Sequence, residues 1–149
     1  IGINSPSDEL NIGATGHIRI THDSSNYLRL SHNEMYRIGG DLYLNYNSVK
    51  KNLDSLLNDA YKLPYKHISK AQSIPEKIFI NKEKQVYGTL FSIVGNAASQ
   101  HQFFLTDSLN HFLVGSLYFF ARPNYDSIYP AVKYLEKDII HLIETLEWE

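Results

Sequence analysis

A chain of 149 residues has the length of one ordinary domain and needs no covalent staple to bury a core. Its 43% hydrophobic content is that of a globular protein; a formal net charge of -2 with no Lys/Arg cluster excludes nucleic acid as the expected partner. The absence of cysteine excludes disulfides, thiolate chemistry and Cys-based zinc sites, but leaves the compartment open.

The first residue is Ile1, not Met, so something upstream is expected to have been removed by processing or trimming, a signal peptide among the alternatives. Residues 1–16 are polar and rich in Gly, Ser and Asn, the composition of a flexible tether. A single domain is expected over residues 17–149. Three short strands come first, at 17–20, 26–30 and 41–46; in the last, Leu42, Leu44 and Tyr46 share one face. Ser48 is the expected N-cap of a first helix, whose apolar stripe is Val49, Leu53, Leu56, Leu57, Ala60 and Leu63. Pro64 should end or kink that helix, with one more turn over 65–70.

The period then changes. Strands are expected at 77–80, 85–94, 101–106 and 112–121, joined by a polar turn at 81–84, the small-residue loop Gly95-Asn96-Ala97-Ala98-Ser99, and a turn at 107–110. Connections this short imply antiparallel neighbours. The run 112–121 is the longest apolar stretch, about half the roughly 20 residues a membrane helix needs, so it reads as a central strand covered on both faces. A last helix, capped by Asp126 or Ser127 and tolerating Pro130 in its first turn, carries the stripe Ile128, Val132, Leu135, Ile139, Leu142 and Leu146. The class is α+β: a largely antiparallel sheet, a helix in mid-chain and a long C-terminal helix packed on the sheet.

Few constellations carry chemistry. The seven histidines match no metal spacing. Asp138, His141 and Glu144 share a helical face that suits either a metal, with help from another element, or a solvated charged stripe. Ser99, His101 and Asp107 supply the residue types of a hydrolytic triad without a nucleophile elbow, and Asp107-Ser108 reads as turn chemistry. No phosphate-binding glycine motif is present. The Gly95–Ser99 stretch admits close approach to the backbone, as a contact loop or as a sharp packed turn. Eleven tyrosines are many, and tyrosine suits interfaces. The candidate partner or ligand contacts are therefore Asn96, Ser99, Tyr125, Tyr129 and Trp148. No catalytic residue, metal or cofactor is assigned.

A resemblance sharpens this reading. It rests on Asn52-Leu53-Asp54, Ala60-Tyr61-Lys62-Leu63 leading to Tyr65-Lys66-His67, Val86-Tyr87-Gly88, Gly95-Asn96-Ala97-Ala98-Ser99, Gln102-Phe103, Thr106-Asp107-Ser108 and Leu117-Tyr118-Phe119. Arg122-Pro123-Asn124-Tyr125-Asp126-Ser127 and the end, Asp138-Ile139-Ile140-His141-Leu142-Ile143-Glu144-Thr145-Leu146-Glu147-Trp148, complete it. In order and spacing, residues 44–149 resemble the gliding-motility lipoprotein GldD family of Bacteroidetes. Pro64 departs from the pattern, which has a small residue there. Before about residue 40 the likeness is poor, apart from Gly16-His17-Ile18-Arg19-Ile20.

The resemblance implies a lipid-anchored Cys and a signal upstream, a periplasmic domain tethered to a membrane, and a role in the gliding-motility apparatus, which is linked to type IX secretion. It implies no known enzymatic activity and no established cofactor. The leading expectation is an accessory or scaffold domain that contacts other motility or secretion components. A small-ligand or carbohydrate-binding exported domain is the alternative, and an enzyme centred on Asp138, His141 and Glu144 is a third.

Overall fold

The computed structural model describes residues 9–11, 17–22, 27–33, 40–119 and 124–149, with side chains over 42–119 and 124–149. In chain order the elements are β1 (Glu9–Asn11), β2 (His17–His22), β3 (Tyr27–Asn33), β4 (Gly40–Ser48), α1 (Leu53–Tyr65), β5 (Ala71–Ser73), β6 (Glu76–Asn81), β7 (Val86–Ser92), β8 (Val94–Gly95), β9 (Ser99–Thr106), β10 (His111–Phe119) and α2 (Tyr125–Thr145). Eight strands form one sheet in the order β1-β2-β3-β4-β10-β9-β7-β6, and every pairing in it is antiparallel. β5 and β8 pair separately. The α+β class and both helices agree with the sequence reading.

Strand alternation divides the core between the two faces of the sheet. On one face Leu42, Leu44, Val86, Leu90, Phe103, Leu105 and Leu117 meet Ile139, Ile143 and Leu146 of the α2 segment. On the other, Phe91, Phe104 and Phe112 meet Ala60 and the half-buried Val49, Leu53, Leu56 and Leu57. There the Phe104 and Phe112 rings stack at 5.7 Å. β10 contributes Leu117 to the first core and Phe112 to the second, so it is covered on both sides as expected. Burying these apolar side chains, at about 1.5–3 kcal/mol for each one fully buried, is what holds the layers together.

Several boundaries differ from expectation, each for a local reason. Ser48 does not cap α1, because β4 runs through it in register with His111; the helix starts after Asn52. Pro64 is the penultimate residue of α1, so the helix ends where a proline allows. The strand expected at 85–94 breaks at Ile93, whose N–H donates to the Gln100 carbonyl at 2.8 Å. Gly95 then turns the chain at φ 136, a conformation suited to glycine, and a Cβ there would lie 2.5 Å from the Lys70 carbonyl oxygen. Pro130 falls inside α2 and not in its first turn, because the helix starts earlier than Asp126 or Ser127 would have it. The tether expected over 1–16 lies mostly outside the described residues; its described part, Glu9–Asn11, is a strand paired with β2.

Candidate functional site

Among the five expected contact residues, three converge at the N-terminus of α2. Asn124 has extended geometry at the N-cap but makes no side-chain cap bond. The cap comes instead from the β8–β9 loop: the exposed Asn96 accepts the Tyr125 N–H on its Oδ1 at 2.8 Å. One of the orphan donors of the first helical turn is thereby satisfied across 29 residues of sequence. One turn on, the Tyr129 ring meets the Tyr125 ring edge-on, centroids 5.5 Å apart. The Lys133 ammonium lies 5.8 Å over the Tyr129 ring. Tyr129 is exposed and Tyr125 half-buried, and burial pushes the Tyr125 phenol upward in pKa.

The other two candidates sit elsewhere. Ser99 is fully buried, and its hydroxyl donates to the Leu117 carbonyl at 2.8 Å, where the β9–β10 register shifts. It closes a β-bulge and reaches no partner surface, which corrects its assignment as a contact. Trp148 lies at the far end of the α2 segment. Its indole N–H donates to the Gln85 carbonyl at 3.0 Å and its ring stacks on His111 at 5.1 Å, so it fastens the C-terminal segment to the sheet.

Beside the aromatic pair is a cleft of about 250 Å3, bordered by Pro75, Glu76 and Lys77, by Ser92 to Val94, and by the first half of α2. Its floor holds His101, 1% exposed. Ser92 and His101 face each other across β7 and β9, with Oγ 3.3 Å from Nδ1. On the other side of the ring Nε2 lies 3.4 Å from the Val132 carbonyl and 3.6 Å from Glu136 Oε2. One tautomer satisfies the set: Ser92 donates to Nδ1, and Nε2–H donates towards α2. Burial pushes the His101 pKa below its usual value, against the opposing pull of Glu136. Lys133 pairs with Glu136 at 3.4 Å. Gln100, also almost fully buried here, donates to the Gly95 and Ala97 carbonyls and leaves its Oε1 without a protein partner.

Sequence reasoning missed this Ser92–His101–Glu136 line, since the only signal was the cross-strand register. The Ser99, His101 and Asp107 set does not assemble. Asp107 lies at the opposite end of β9, where Oδ1 accepts the N–H groups of Leu109, Asn110 and His111 at 2.8–2.9 Å. Burial alone would raise its pKa; the three donors and His111 hold it below the usual carboxylate value. His141 and Glu144 are exposed, and no metal-ligand group forms among the described residues. No helix among them is long and apolar enough to cross a membrane.

These features define a two-faced antiparallel α+β domain that presents an aromatic pair and a shallow cleft of mixed lining beside one helix N-terminus. The chain belongs to the gliding motility lipoprotein GldD family, whose model matches residues 14–148. The match takes in the front third, where the likeness seen in the sequence was poor. No curated protein and no solved structure matches the chain. Family membership associates it with gliding motility and with an envelope-anchored lipoprotein.

Proposed function

We propose that this chain is a periplasmic, lipid-anchored accessory protein of the gliding-motility and type IX secretion apparatus that works by protein–protein contact, not catalysis. The observation that carries this is the Tyr125–Tyr129 pair on a helix N-terminus pinned by Asn96. Tyrosines held in fixed orientation offer contact area at low entropic cost, the usual make-up of interface anchors.

Geometry speaks against a hydrolytic role for the cleft. An acyl-transfer site needs amide donors aimed where an oxyanion develops. Here the Ser92 N–H is taken by the Pro75 carbonyl and the Ile93 N–H by the Gln100 carbonyl.

A second reading, small-ligand or carbohydrate binding, is favoured by the partnerless Oε1 of Gln100 and by the Lys133 and Glu136 charges at the rim. The cleft, at about 250 Å3, falls below the roughly 300–1,000 Å3 of ligand pockets, so partner contact is the better-supported function. Crosslinking in the native envelope, with Tyr125→Ala and Tyr129→Ala variants alongside, separates the two.

A further inference from the structure

We propose that β6 is a self-association edge: two copies of this chain join their sheets antiparallel through β6, about a two-fold axis at Phe79. β6 ends the eight-stranded sheet, and among the described residues no strand pairs with its outer side. Ser92 N–H donates to the Pro75 carbonyl at 3.0 Å. Strand alternation therefore turns residues 77, 79 and 81 towards β7 and sends the backbone groups of Glu76, Ile78 and Ile80 outward. This is a ladder ready for one more strand.

Each face of that edge carries exposed or half-buried apolar side chains among charged ones. On the α1 face Ile78 and Ile80 are 68% and 66% exposed, far more than β-branched residues in a finished sheet. On the α2 face Phe79 borders an open groove of about 490 Å3, shared with Val86 and Ile143. A strand added to β6 would extend the first patch and fill the second.

The chemistry of β6 selects a second copy as the occupant. A two-fold axis normal to the sheet keeps each face continuous, so paired residues must share a face. With the axis at Phe79, the partner places Ile80 opposite Ile78, Phe79 opposite Phe79, Asn81 opposite Lys77, and Lys82, the first residue of the turn after β6, beside Glu76. Each apolar side chain meets an apolar one, and the charge contacts are of opposite sign, twice over. Tyr65 O–H donates to Glu76 Oε1 at 3.1 Å and so holds that carboxylate on the α1 face. The backbone groups of residues 78 and 80 point outward, as a hydrogen-bonded pair requires. Shifting the axis to Ile78 sets Glu76 against Ile80. Shifting it to Ile80 sets Lys82 against Ile78. Only the Phe79 register matches both charge and hydrophobicity.

Sedimentation velocity of the purified chain over a concentration series tests this. The expected result is a concentration-dependent monomer–dimer equilibrium. Ile78→Lys with Ile80→Lys should abolish the dimer while circular dichroism and melting temperature hold, because both side chains are exposed. Glu76→Lys alone should weaken the dimer about tenfold, and Glu76→Lys with Lys82→Glu should restore it, since the opposing pairs are merely exchanged. A monomer at every concentration up to millimolar overturns the proposal. So does a dimer indifferent to the isoleucine changes, or a double charge reversal that fails to rescue. The partner-capture reading at α2 stands or falls separately, because Tyr125 and Tyr129 lie outside β6.

Discussion

Asn96 reaches from the β8–β9 loop to the first turn of α2, where its Oδ1 takes the N–H of Tyr125 at 2.8 Å. The helix has no side-chain cap of its own, so this loop residue fixes where α2 begins and how Tyr125 and Tyr129 are presented. Asn96→Ala should cost about 1 kcal/mol in denaturant unfolding. Asn96→Asp should retain that stability, since a carboxylate accepts the same bond and complements the helix dipole. Equal loss in both variants would show that the bond contributes nothing.

Trp148 fastens the C-terminal segment to the sheet. Trp148→Phe keeps an aromatic ring beside His111 and loses the bond to the Gln85 carbonyl, for about 1 kcal/mol. Trp148→Ala loses both, for about 2–3 kcal/mol. Melting curves check the order. Partner capture per folded molecule should not change.

Gly115 is a matter of space. A Cβ there would run into the Phe103 ring from the neighbouring strand β9. Gly115→Ala should therefore destabilise by about 1–3 kcal/mol through overpacking. Combining it with Phe103→Leu should cost less than the two single changes added, a coupling that a double-mutant cycle reads directly.

His101 should lower stability in mild acid. Its folded pKa lies below the ordinary 6.5, because burial penalises the cation. As pH drops through 6.5 the unfolded chain takes up a proton that the folded chain refuses, so the unfolded state gains. Below the folded pKa both states are protonated and the loss levels off. Melting temperature should therefore decline from pH 8 to pH 5, and His101→Gln should flatten that slope. An unchanged slope would mean that another group carries it.

Period-two alternation marked β2, β3 and β4 in the sequence, apolar runs bounded by turn signals marked β6, β7, β9 and β10, and period 3.6 marked both helices, because long elements repeat their pattern several times. β1, β5 and β8 were invisible: at two or three residues each, only their pairing partners define them. Tyr125 and Tyr129 were legible as accessible aromatics near a helix start. Ser99 was not, because its small polar side chain suits a loop as well as the β-bulge it occupies. The Ser92–His101 contact needs the β7–β9 register, which residue spacing alone does not supply.

The most direct test of the partner-contact reading is in-envelope crosslinking of the lipidated full-length protein, followed by recovery and identification of what is attached. The account predicts recovery of gliding-motility or type IX secretion components, with yield falling several-fold in Tyr125→Ala and Tyr129→Ala while Trp148→Phe stays near wild type per folded molecule. Equal yields from all variants, or no attached protein together with a small molecule bound in the cleft of the purified chain, would contradict it.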